Sequence, residues 1–281
     1  MEWKGAVQKR TPAVIRKSTL WTSFLVVLAL FVFTAHLSFA ASETVSFPGS
    51  GQGPDGKPLT LTGKLIKPDG AGPFPAVVLV HGCAGYHKLH FVWAERFREW
   101  GYASLILDSF GPRGIIRVCD DMSKMLELIP ARAQDTYDAK NYLSKQSFVS
   151  KKRIAVVGWS HGAMTVLAAI EDKHPKGGPF SAAVAFYPLC DQPLWNLDTP
   201  LLILIGGSDD WTPAARCRER MPSADRPALH ETVLNIYPGA YHTFDNLDQD
   251  MMYLGHRLVG NPTATADAVE TVKKFLARHL N

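Results

Sequence analysis

Six short runs, apolar over most of their length, recur between segments of helical character: PAVVLVHG, YASLILDS, RIAVVGWS, SAAVAFYP, PLLILIGG and ETVLNIYP. A strand without a polar face has to be buried on both sides, and strands separated by helices run mainly in one direction. The intervening stretches HFVWAERFREWG and RAQDTYDAKNYLSK, the run after Ser160, a short segment after Pro213 and a last one from about 264 to 279 supply those helices. The expected architecture is α/β: one domain over residues 41–281, with a mostly parallel central sheet and helices on both faces. ETVSFPG and LTLTGKLIKP read as an antiparallel pair ahead of it, joined by the loop GSGQGPDGKP. The segments between strands are short, so little or no cap is expected.

In an open parallel sheet, reactive groups gather where the strands end. One strand ends on Gly158-Trp159-Ser160-His161-Gly162 and passes at once into small, helix-forming residues. A serine between two glycines at a strand-to-helix corner is a nucleophile elbow: the glycines clear the corner, and the strained serine turns its Oγ outward above a helix N-terminus.

A serine hydroxyl needs a base, and the base needs a group to fix its tautomer. His242, in NIYPGAYHTF, follows the last strand, while Asp209 and Asp210, in IGGSDDWTP, follow the strand before it. The order Ser, Asp, His is that of α/β-hydrolases. Asp209 is favoured from its spacing after Gly206 and before Pro213; Asp210 remains the alternative, counted from Gly207. The backbone N–H groups of Cys83 and His161 are the expected oxyanion donors. The imidazoles of His81 and His161 are read as structural.

Residues 1–40 read differently. Lys4, Lys9, Arg10, Arg16 and Lys17 precede an apolar run from about Leu20 to Leu37, and Ser38-Phe39-Ala40 offers small residues before a cut, the pattern of a secretory signal peptide. An uncleaved anchor is the alternative, and only then would a membrane be a partner. This leader carries the whole formal charge of +4; the remainder is balanced, which excludes a basic nucleic-acid surface. Cys83, Cys119, Cys190 and Cys217 all follow the leader and show no C-x-x-C spacing. In an oxidising compartment they allow two disulfides in any of three connectivities, against four separate buried thiols.

Read in order, LVHGCAG, DSFGPRG, GWSHGAM, FYPLC, GGSDDWTPAARC and YPGAYHTF resemble the dienelactone hydrolase family of α/β-hydrolases, from about residue 44 to the C-terminus. The resemblance implies a compact hydrolase of small carboxylic esters or lactones, without metal or organic cofactor, which the leader would make an exported one. Ser160 stands where the namesake enzymes carry a cysteine, and His81-Gly82-Cys83 where they carry a glutamate. It also places Arg113 near the position of an arginine that grips a substrate carboxylate, with a salt bridge to Asp120 or Asp121 as the competing role. Pairing of Cys83 with Cys119 and of Cys190 with Cys217 follows from the positions it assigns. Tyr86, Phe110, Trp159 and Trp211 would shape the pocket where they face inward, Trp211 being a candidate substrate contact. A serine peptidase of the same fold and a catalytically silent binding protein are the rival readings.

Overall fold

Val77, Val78, Leu79 and Val80 are wholly buried, as are Ala155, Val156 and Val157 and the run Ile203–Ile205; such segments can only be the middle of a sheet covered on both faces. The computed structural model describes residues 42–171 and 178–280. The leader expected over residues 1–40 lies outside the described residues.

Eight strands form the main sheet: β1 (Glu43–Gln52), β2 (Pro58–Ile66), β3 (Phe74–Val80), β4 (Ala103–Asp108), β5 (Val149–Trp159), β6 (Ala183–Phe186), β7 (Leu201–Gly206) and β8 (Thr232–Tyr237). Their spatial order is β1-β2-β4-β3-β5-β6-β7-β8. β1, β2 and β4 pair antiparallel, and every pair from β4 to β8 is parallel. The helices are α1 (Lys88–Glu99), α2 (Met122–Ser144), α3 (His161–Ala169), α4 (Ala214–Arg220) and α5 (Pro262–Leu280).

The register sets where chemistry can occur. Val80 pairs with Gly158, Trp159 with Phe186, and Gly206 with Tyr237, so β3, β5, β6, β7 and β8 end along one rim. The connections leaving β3 and β5 start side by side there, at the point where the strand order reverses.

Three elements differ from expectation. β1 continues to Gln52, which shortens the first loop to residues 53–57. α2 begins at Met122 rather than near Arg132, capped by the Asp121 carboxylate on the Lys124 N–H at 2.9 Å. Pro130 lies inside this helix on its exposed side, where water can take up the displaced carbonyl. A two-stranded hairpin, β9 (Asp250–Tyr253) and β10 (His256–Val259), occupies what reads as loop between His242 and α5. Among the described residues, no helix is long and apolar enough to cross a membrane.

Candidate active site

Ser160 has φ 53° and ψ −117°, a conformation an L-residue enters only under constraint. The two glycines explain how the constraint is met. A Cβ on Gly158 would overlap the backbone of Gly162, and one on Gly162 would overlap the carbonyls of Val80 and His81. The turn thus closes against β3 as tightly as backbone allows. The Ser160 N–H donates to the Phe186 carbonyl at 2.9 Å, tying the corner to β6 as well.

Ser160 Oγ lies 3.0 Å from His242 Nε2, and His242 Nδ1 lies 2.8 Å from Asp209 Oδ2. Three segments separated in sequence meet in one hydrogen-bonded chain. Asp209 is almost wholly buried and multiply held: Oδ1 accepts the N–H groups of Trp211 at 3.0 Å and Thr212 at 2.8 Å, and Oδ2 accepts the Thr212 hydroxyl at 2.9 Å. Desolvation pushes its pKa up, but the charge of His242 and the hydrogen bonds from His242 and Thr212 outweigh that and leave it below the usual carboxylate value. Asp210 is not brought to His242. It is half exposed, 3.4 Å from His256 Nδ1 on the hairpin.

Tyr187 holds the His242 ring from the other side, with centroids 4.6 Å apart. Its hydroxyl donates to Asp245 Oδ1 at 2.8 Å, while Oδ2 accepts the indole N–H groups of Trp93 at 2.8 Å and Trp159 at 2.9 Å. Burial raises the Asp245 pKa despite these three donors. Sequence reasoning missed this node, since nothing in YHTFDN distinguishes a buried carboxylate from a solvated one.

Cys83 is the third residue of the loop after β3, and His161 is the first residue of α3, whose N–H has no intrahelical carbonyl to meet. Both cysteine pairs are bonded, Cys83 to Cys119 and Cys190 to Cys217, with Cα separations of 4.9 and 4.8 Å. Ser160 and His242 open into a cavity of about 420 Å³ walled by Cys83, Cys119, Trp211 and the hairpin residues Met251 and Tyr253.

Of the aromatic residues expected to shape the pocket, Trp211 lines it, 5.2 Å from the His242 ring and stacked on His256 at 4.8 Å. Trp159 and Phe110 are buried behind the site, and Tyr86 packs edge-on to Phe91. Arg113 is not brought to the cavity. Its guanidinium makes a two-pronged pair with Asp135 at 2.7 and 2.9 Å, rather than with Asp120 or Asp121, and also donates to the Ser109 carbonyl. Four residues further on, Arg117 does reach the cavity wall, bound to Asp120 at 2.8 Å and to the Tyr253 hydroxyl at 3.3 Å.

The sequence model of the dienelactone hydrolase family matches residues 61–280. A 205-residue stretch is 26% identical to an uncharacterized protein of Mycobacterium tuberculosis, covering 66% of this chain and 68% of that one. The fold is shared with a dienelactone hydrolase from Anabaena variabilis (TM-score 0.64, 20% identity, 86% of this chain and 100% of that one). It is shared too with a dienelactone hydrolase-like promiscuous phosphotriesterase from metagenomic libraries (TM-score 0.68, 18% identity, 86% and 100%). With the matched region running from β2 to the end of α5, the chain belongs to the dienelactone hydrolase family and is a hydrolase of the α/β fold.

Proposed function

We propose that this protein is an exported serine hydrolase that cleaves small carboxylic esters or lactones through an acyl-serine intermediate. The observation that carries the reading is the unbroken path from Ser160 Oγ through His242 to Asp209, at 3.0 and 2.8 Å, opening into the cavity. Asp209 accepts the Nδ1–H of His242, which leaves Nε2 bare and facing Oγ. As Oγ attacks the ester carbonyl, Nε2 takes its proton, the carbonyl oxygen becomes an oxyanion facing the N–H groups of Cys83 and His161, and Asp209 stabilises the imidazolium. The leaving alcohol then takes the proton from Nε2. Water enters by the same route, its proton passing to Nε2 and its oxygen to the acyl carbon; the acyl–Oγ bond then breaks as Nε2 returns the proton to Ser160 Oγ, and the acid is released. An acidic ester entering the cavity would meet Arg117 rather than Arg113.

The two disulfides support maturation in an oxidising compartment, with residues 1–40 acting as the leader. The test is labelling with a fluorophosphonate, followed by turnover of short-chain, aromatic and lactone esters beside peptide amides. The expected result is one adduct per chain on Ser160, ester turnover exceeding amide turnover, and loss of both in Ser160→Ala. A folded protein that gives no adduct is a binding protein instead, and faster amide turnover makes it a peptidase.

A further inference from the structure

Arg132 points from α2 into the interior with no surface left exposed. Its Nη1 donates to His161 Nδ1 at 2.7 Å and its Nη2 donates to the main-chain carbonyl of His81 at 2.6 Å. Because a guanidinium only donates, His161 must present a bare Nδ1, and its Nε2–H then donates to the Met125 carbonyl at 2.8 Å. The imidazole is thus a neutral strut pinned at both ends by α2. Desolvation and the adjacent Arg132 charge push its pKa down to about 3, in keeping with that state. The Phe110 ring packs against the guanidinium at 4.8 Å. Asp135, one turn along α2 and itself clasped by Arg113, supplies the strongest opposing charge.

The two segments held in this way are the ones that matter to an oxyanion. His81 leads directly into Gly82-Cys83, and His161 follows Ser160. A buried cation is costly, and an apolar side chain of similar volume would serve packing alone as well or better. The guanidinium fork does what an apolar chain could not: it bonds both segments from one rigid plane.

We propose that Arg132 is a positioning residue of the oxyanion hole, fastening the loop after β3 and the first turn of α3 to one helix so that the N–H groups of Cys83 and His161 keep a fixed separation. This rests on the reading of Ser160 as nucleophile. Donors held in place before reaction act only where charge develops, so the effect falls on kcat and on affinity for tetrahedral adducts, not on substrate binding.

The experiment compares the wild type with Arg132→Met and Arg132→Lys, with rates normalised to fluorophosphonate-reactive sites. For a short aryl ester, Arg132→Met is expected to lose about 100-fold in kcat with KM within about 3-fold, and to bind an aryl trifluoromethyl ketone about 100-fold more weakly. Arg132→Lys, which keeps the charge but not the fork, is expected to lose about 10-fold in both. If either folded variant keeps kcat per labelled site and ketone affinity within about 3-fold while only its Tm falls, Arg132 is a packing residue and the proposal is wrong. Should Arg132→Met fail to fold, Arg132→Lys decides by the same criterion. A wild type that neither labels nor turns over esters defeats the serine-hydrolase reading itself, and this proposal with it.

Discussion

Asp209 and Asp210 are adjacent and chemically identical, yet one is buried against His242 and the other stands at the surface beside His256. Asp209→Asn keeps the size but not the charge and leaves the imidazole free to turn; kcat for ester hydrolysis is expected to fall roughly 10³- to 10⁴-fold with little change in KM. Asp210→Ala should leave kcat within about 3-fold, as for a surface substitution outside the hydrogen-bonded chain. Steady-state kinetics on both variants checks the pair. Choosing between them from sequence was a matter of where a loop begins to be counted, and only the long-range hydrogen bond with His242 distinguishes them. Arg113 shows the same limit: its partner Asp135 is 22 residues away on a helix, and a charged residue on an amphipathic segment reads as solvated. Arg132 was illegible for that reason too.

The parallel strands were legible as elements because burial on both faces leaves an uninterrupted apolar signature, and the elbow because two glycines are needed where backbone meets backbone. The hairpin was not, since DMMY and HRLV are short and carry no alternation strong enough to outweigh a loop. The start of α2 was hidden by Pro130, whose local preference is overridden by the helix around it. Elements also meet at single residues. Asp245 joins α1, the end of β5 and the segment after β6 through Trp93, Trp159 and Tyr187, so Asp245→Ala would strand three buried donors and is expected to cost ~3–5 kcal/mol, read from chemical denaturation. The disulfides divide by element. Each closes a span long enough to contribute roughly 3.5–4 kcal/mol by loop entropy, so removing either should lower Tm. Only the Cys83–Cys119 pair forms cavity wall, so Cys83→Ala/Cys119→Ala should also lower kcat, whereas Cys190→Ala/Cys217→Ala should lower Tm with kcat nearly kept.

For the whole molecule, buried neutral histidines set the response to acid. Desolvation, reinforced by neighbouring positive charge, holds His90 and His161 at about 3, against 6.5 unperturbed, and drives His81 well below 6.5. The unfolded chain therefore binds protons that the folded chain refuses. Their stabilising contribution is complete above pH 6.5 and is lost progressively as pH falls from 6.5 toward 3, at roughly 1.4 kcal/mol per pH unit for each group. Thermal melts at pH 7.5, 5.5 and 4.5 should show Tm falling across that window, and His90→Phe should flatten the slope by about one group's share. At this scale the fold class was the most legible property, because it depends on patterning summed over many residues rather than on any single pair. The β9–β10 hairpin pairs with itself, and His242 and Leu258 form its isolated bridge to the segment that follows β8. With Met251 and Tyr253 forming one wall of the cavity, it is a replaceable cassette: substituting residues 250–259 would reshape what the cavity admits while Ser160, His242 and Asp209, all outside the hairpin, keep their places.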